Sequence, residues 1–218
     1  SKDKIGIHWF RQDLRINDNP SLNYLSKKYN KILAVFILDE INSRRKLGSA
    51  SKIWLYHSLK DLNDNISNKL ILFKGDPITF FELLFSRFDV QEVSWNRCYE
   101  PWQIKRDTFL KKKLLKKVKV SSFNSSLLWE PWEVLKNDGN PYKVFTPFFK
   151  RGCLNAKPPK KPKTFKVKFF DHGFKSLNLD ELELINKKKW EKNIVKLWKI
   201  GEKGALEEMN NFFQRGIN

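Results

Sequence analysis

The sequence predicts an α/β protein built on a parallel sheet of about five strands, and three observations carry that reading. Short apolar runs alternate with amphipathic stretches through roughly the first 125 residues. Several runs are apolar at nearly every position, as strands covered on both faces are. The connections are short, and Pro20, Pro77 and Pro101 each stand where a helix would begin. Strand–helix units joined in this way give a Rossmann-like sheet with helices on both faces.

Lys4 to Trp9 reads as the first strand. Asn19 is a good N-cap, so a helix starts at Pro20 and runs to about Tyr29. "KILAVFIL", Lys31 to Leu38, is a buried second strand. Ser49 is expected to cap the next helix, where Leu55, Leu59, Leu62 and Ile66 recur at helical spacing. Lys69 to Lys74 is the third strand. Asp76 then caps a helix whose buried stripe is Ile78, Phe81, Leu84, Phe85 and Phe88. Gln91 to Trp95 forms the fourth strand, Pro101 opens another helix, and Val118 to Phe123 is the fifth strand.

The alternation then stops. Leu127 to Arg151 is aromatic and turn-rich, and Asn155 to Phe170 is a Lys/Pro tract expected to lie extended. From Glu202 to Arg215 an amphipathic helix returns, with Leu206, Met209, Phe212 and Phe213 on one side. A lone helix after a long linker has nothing obvious to pack on. It is expected to open a second, helical domain, truncated here: 1–130 is the α/β domain, 131–200 the aromatic segment and interdomain linker, and 201–218 the start of the next domain. "YEPW" at Tyr99 and "WEPW" at Trp129 are short echoes whose flanks do not match, and no repeat is inferred.

Totals narrow the function classes. The 218 residues carry a formal net charge of +19, which favours a polyanionic partner, nucleic acid first. Lysine on any solvated face gives the same total, so charge alone decides little. No apolar run reaches membrane-span length, and Cys98 and Cys153 form neither a metal motif nor a disulfide framework. A cytoplasmic monomer with no metal and no membrane contact is expected.

There is no G-x-G-x-x-G and no Walker loop. Ligands on such sheets sit outside the carboxyl ends of the strands. That rule gathers Phe10 to Arg15, Leu38 and Asp39, Lys74 to Asp76, and Asn96 to Glu100. Arg11, nearest its strand end, is the ligand candidate. Asp13, Arg15 and Asp18 are expected to form ion pairs that hold the loop, Asp18 near the positive end of the following helix.

"WFRQDLRINDNPSL", "SASKIWLYHSLKDLN", "WNRCYEPWQIKRD", "PYKVFTPFFK" and "GEKGALEEMNNFFQRGIN" together resemble the DNA photolyase and cryptochrome family, in the right order and over nearly the whole chain. The resemblance implies an N-terminal domain that holds an antenna chromophore and a C-terminal helical domain that binds FAD and damaged DNA. It implies light-driven splitting of cyclobutane pyrimidine dimers, a carbon–carbon lyase reaction. The alternatives are a cryptochrome photoreceptor or a stand-alone chromophore- or nucleotide-binding module. No catalytic residue falls in this chain, because the family's FAD-holding residues lie in the helical domain, and repair by the chain alone is not expected. The resemblance places the antenna pocket at Phe10, Arg11, Phe36, Leu38, Lys52, Leu55, Asn96, Glu100, Gln103 and Arg106. Folate-binding members typically offer an Asn–Glu pair where this chain has Trp102 and Gln103. That leaves a flavin, a deazaflavin or an empty pocket ahead of a folate.

Overall fold

The computed structural model describes residues 4–43, 45–186 and 189–216. Five parallel strands, β1 (Ile5–Phe10), β2 (Lys31–Leu38), β3 (Leu70–Lys74), β4 (Val90–Asn96) and β5 (Lys119–Phe123), lie in the order β3-β2-β1-β4-β5. The order turns back between β1 and β4, and the chain leaves the sheet there in opposite directions. Ligand crevices open at such a switch point, on the carboxyl side.

Four helices connect the strands: α1 (Pro20–Ser26), α2 (Ser49–Asn65), α3 (Pro77–Arg87) and α4 (Pro101–Leu114). Side chains alternate across β1. Ile5, Ile7 and Trp9 join Phe80, Phe81, Leu84, Leu110 and Leu114 of α3 and α4. Phe10 joins Leu22 and Leu25 of α1 and Leu59 and Leu62 of α2 on the other face. Both faces are buried, which is why β1 and β2 read as almost unbroken apolar runs.

The helix starts follow their caps. Asn19 accepts from the Leu22 amide and Asp76 from the Thr79 amide, each followed by proline. At α2 the expectation is corrected. Gly48, not Ser49, is the capping position, extended at φ −65° and ψ 158°, and no side chain caps the helix. α1 is also shorter than expected. The amides of Lys28 and Tyr29 both turn back to the Leu25 carbonyl, which closes the helix early. The stripe of α3 includes Phe80, which the sequence reading left out: its ring stacks on Phe73 at 4.4 Å.

Beyond β5 the chain has little regular structure but is pinned at defined points. Glu130 accepts from Arg97 at 2.6 and 3.0 Å and from the Tyr99 hydroxyl at 2.6 Å. The two echo segments therefore meet, through a contact and not as a repeat. A single helical turn, α5 (Phe145–Pro147), runs on through Phe148–Gly152 and Cys153–Asn155. The Lys/Pro tract lies along the sheet domain: Lys163 and Asp18 bond each other through two contacts, and Phe169 bridges to Ile32. Asp18 thus anchors this tract, at φ 47°, instead of facing the α1 amides.

Two helices close the chain, α6 (Lys189–Leu197), which the sequence reading missed, and α7 (Glu202–Arg215). α7 is not free at its start. Its Glu202 carboxylate accepts from the Ile16 and Asn17 amides, both at 2.8 Å, and its own amide donates to Asp61 at 2.9 Å. Gly201 makes that approach possible. Its φ is +103°, and a Cβ there would lie 2.4 Å from the Asp61 carboxylate. Leu206, Met209, Phe212 and Phe213 remain exposed.

Gly6 is required for a different reason. The Tyr29 ring lies across β1, held by its hydroxyl on the buried Glu92 at 2.9 Å. A Cβ at Gly6 would sit 2.9 Å from Tyr29 Cδ2 and 3.2 Å from Leu25 Cδ2. Gly6→Ala should cost about 1–3 kcal/mol of stability, the usual penalty for overpacking. A thermal or urea melt checks this, and an unchanged midpoint would show that the ring moves freely.

Candidate functional site

The charged stretch after β1 folds into a buried network at the switch point. The Arg11 guanidinium donates to Asp107 of α4 and to the Asn96 carbonyl at the end of β4. It stacks over Trp9 at 5.0 Å and Trp95 at 5.8 Å. Arg106 covers the Trp9 ring at 5.0 Å and bonds Asp107 at 3.0 Å and Asp39 at 3.2 Å. Two guanidiniums and two carboxylates thereby neutralise each other with little exposure. Such pairs hold geometry more than they add stability.

A second set, built around Asp13, lies behind it. Asp13 accepts from the Arg11 amide at 3.0 Å and from the Asn96 side chain at 2.5 Å. Asn96 also donates to Asn19 at 2.8 Å and accepts from the Ser21 amide at 3.1 Å. His8, fully buried, shares a hydrogen bond with Ser21 at 2.9 Å, and Ser21 with Ser94 at 2.7 Å. Asn96 is thus the link between the β4 end and the start of α1. Arg15 donates to the carbonyls of Asn17, Asp18 and Ser125, which ties the first loop to the segment after β5.

In front of this network opens a cavity of about 1210 Å³. Trp9, Arg11, Asp13, Phe36, Leu38 and Asp39 form its floor, Trp54, Leu55 and Ser58 of α2 one wall, and Trp102, Gln103 and Arg106 of α4 the other. Residues of α6, of α7 and of the link between them, among them Trp198, Glu202 and Met209, close the outer side. Three residues of this lining each keep a buried polar atom without a hydrogen-bond partner: Trp9 Nε1, Arg11 Nε and Gln103 Oε1. A cleft with aromatic walls and a few polar groups suits a flat heteroaromatic ligand.

Of the ten residues the sequence reading brought together, Arg11, Phe36, Leu38, Leu55, Gln103 and Arg106 line this cavity. Phe10, Lys52, Asn96 and Glu100 do not. Phe10 points into the α1/α2 core, because alternation along β1 sets it opposite Trp9. Asn96 is in the network behind the floor, and Glu100 accepts from the Trp102 indole at 2.6 Å at the head of α4. Lys52 is on α2, half-buried, away from the lining. Trp9, Trp54 and Trp198 are lining residues that the reading missed, and Trp102 stands on the lining beside Gln103. Apolar residues on strands and helices read as core, and nothing in their spacing sets these apart.

Burial pushes the His8 imidazole down to about 4. Asp13 opposes that shift and Arg11 adds to it. The folded state therefore disfavours the imidazolium relative to the unfolded chain, whose histidine titrates near 6.5. The contribution of neutral His8 is whole above about pH 6.5 and is lost as the pH falls toward 4, about 3 kcal/mol in all. Urea unfolding of the parent and of His8→Gln between these pH values checks this. The variant should lose most of that slope, and equal slopes would remove His8 from the account.

Three comparisons bear on this arrangement. The family model described as DNA photolyase matches residues 6–165. A deoxyribodipyrimidine photo-lyase of Agrobacterium fabrum is 33% identical over 222 residues, 97% of this chain and 45% of the relative. Cryptochrome-2 of Arabidopsis thaliana is 27% identical over 99% of this chain and 37% of its own length. The crystal structure of a bacterial class III photolyase from Agrobacterium tumefaciens superposes with a TM-score of 0.90 at 32% identity, over 98% of this chain and 45% of that one. The chain spans less than half the length of these relatives.

Proposed function

Because the chain belongs to the DNA photolyase family, we propose that it forms the light-harvesting and scaffolding part of a protein that repairs pyrimidine dimers. The cavity at the carboxyl edge is the site of a planar heteroaromatic chromophore, which would absorb light and pass the excitation on. The observation that carries this reading is one cavity at the switch point lined by Trp9, Trp54 and Trp102 together with the ion-paired Arg11 and Arg106. Its volume of about 1210 Å³ has room for a ring system with a tail. The ion-paired Arg11 and Arg106 fix the floor. Trp54 and Trp102 would contact the chromophore from opposite walls, and α6 and α7 would cover its outer side. A flavin or deazaflavin is expected to bind ahead of a folate.

Repair itself is proposed for the protein that also carries a helical FAD-binding part, where FAD would supply the electron that opens the cyclobutane ring. The exposed apolar faces of α7 and of the 144–154 segment support a neighbour of that kind. Photolyase is preferred to cryptochrome because the photolyase relative is the more similar of the two over this chain.

Titration with a flavin mononucleotide, a deazaflavin and a methenyl folate, read by fluorescence, tests the cavity. Gln103→Leu removes an acceptor that is unpaired in the free protein. It should weaken chromophore binding by about 1–3 kcal/mol and leave the melting temperature nearly unchanged. A large drop in melting temperature with unaltered affinity would make Gln103 structural and count against the site. Illuminated with reduced flavin and dimer-containing oligonucleotide, these 218 residues are expected to restore no thymines above a protein-free control. Restoration above that control would contradict the division of labour.

A further inference from the structure

The edge of the sheet opposite the cavity has a different electrostatic character. In a parallel α/β sheet the strand starts and the helix ends fall on one edge, so the carboxyl ends of α1 and α4 flank the starts of β4 and β5. Six of the nine residues from Lys111 to Lys119 are lysine, at the end of α4 and the start of β5. Lys27 and Lys28 lie just after α1, which packs on β4 and β5. Lys112, Lys113, Lys116, Lys117, Lys119 and Lys27 are all exposed.

Few carboxylates answer them. Glu82 takes Lys117 at 3.1 Å, and the buried Glu92 takes Lys28 at 2.5 Å. Lys112, Lys116 and Lys119 reach no carboxylate among the described residues, and Lys113 rests over the Phe109 ring at 5.5 Å. At the cavity edge, by contrast, Arg11 and Arg106 are consumed by Asp39 and Asp107. Cations at helix ends favour the helix dipole, but that effect is confined to the last turn and does not account for lysines running on into β5.

We propose that this amino edge is a docking surface for the phosphate backbone of duplex nucleic acid, independent of any lesion and separate from the cavity. Lysines are point charges that meet phosphates without reading bases. The three strands β1, β4 and β5 span about 10 Å, along which a duplex presents one charge every 1.7 Å or so. The surface would hold the protein on undamaged DNA and leave the carboxyl edge free.

The test is binding of the 218-residue chain, in the dark and without chromophore, to a labelled undamaged duplex of about 20 base pairs, from about 50 to about 200 mM salt. One variant carries Lys112→Gln, Lys113→Gln, Lys116→Gln and Lys119→Gln. A control with the same loss of charge carries Lys157→Gln, Lys160→Gln, Lys161→Gln and Lys163→Gln in the extended tract. The edge variant should bind at least about tenfold more weakly, with a salt slope flatter by about 3, and the control should change less than about threefold. Edge-variant binding like the parent's, or an equal loss in the control, overturns the proposal. So does tighter binding of the parent to phosphatidylserine vesicles than to the duplex at equal ionic strength, which would assign the edge to a membrane surface. Chromophore affinity plays no part in these readings, so failure here is distinct from failure of the cavity assignment.

Discussion

The Arg11 guanidinium, buried over the indoles of Trp9 and Trp95, sets what the rest of the carboxyl edge can be. A guanidinium in that position must be answered by a charge, and removing one partner of such a pair costs about 3–5 kcal/mol. Asp107 supplies the charge from α4, and the Asn96 carbonyl completes the contact from β4. Those two bonds cross the switch point between β1 and β4. They place α4 so that Trp102, Gln103 and Arg106 form one wall of the cavity. Arg106 reaches on to Asp39 at the end of β2, so the same chain of charges joins three parts of the edge. The loop between β1 and α1 is held by its own set of Asp13, Asn19 and Asn96, and that loop receives the Glu202 carboxylate of α7. Sheet, cavity and closing helices are thereby linked through one stretch of sequence.

Much of this was legible beforehand and some of it was not, for physical reasons. Strands buried on both faces announce themselves, and "KILAVFIL" has the same bounds in the structure, Lys31–Leu38. Asn19-Pro20 and Asp76-Pro77 carry their cap chemistry locally, so those helix starts were plain. Ser49 misled because serine suits a cap, whereas Gly48 already holds the extended backbone of the capping position. α6 escaped because its lysines resemble the Lys-rich tract before it. Arg11 was read from its place at the strand end alone. It stands on the cavity floor, but its NH groups are committed to Asp107 and to the Asn96 carbonyl, 96 and 85 positions away, which no local pattern reveals. The same holds for Glu130, tied to Arg97 across 33 positions.

The two edges of the sheet divide the charge between them. At the carboxyl edge arginine is matched with aspartate, and the resulting floor is rigid and nearly neutral, as suits a flat ligand held in a fixed orientation. At the amino edge lysine prevails over acid, so the +19 of the chain is not spread evenly. One fold thus presents an aromatic cleft at one edge and a basic rim at the other.

A double-mutant cycle between Arg11→Ala and Asp107→Ala, read by urea unfolding, tests the central claim most directly. The account predicts that the two losses fall short of additivity by about 1–3 kcal/mol, because either substitution alone already breaks the clamp. Additive losses would contradict it, since they would mean that the pair holds neither the cavity wall nor the switch point together.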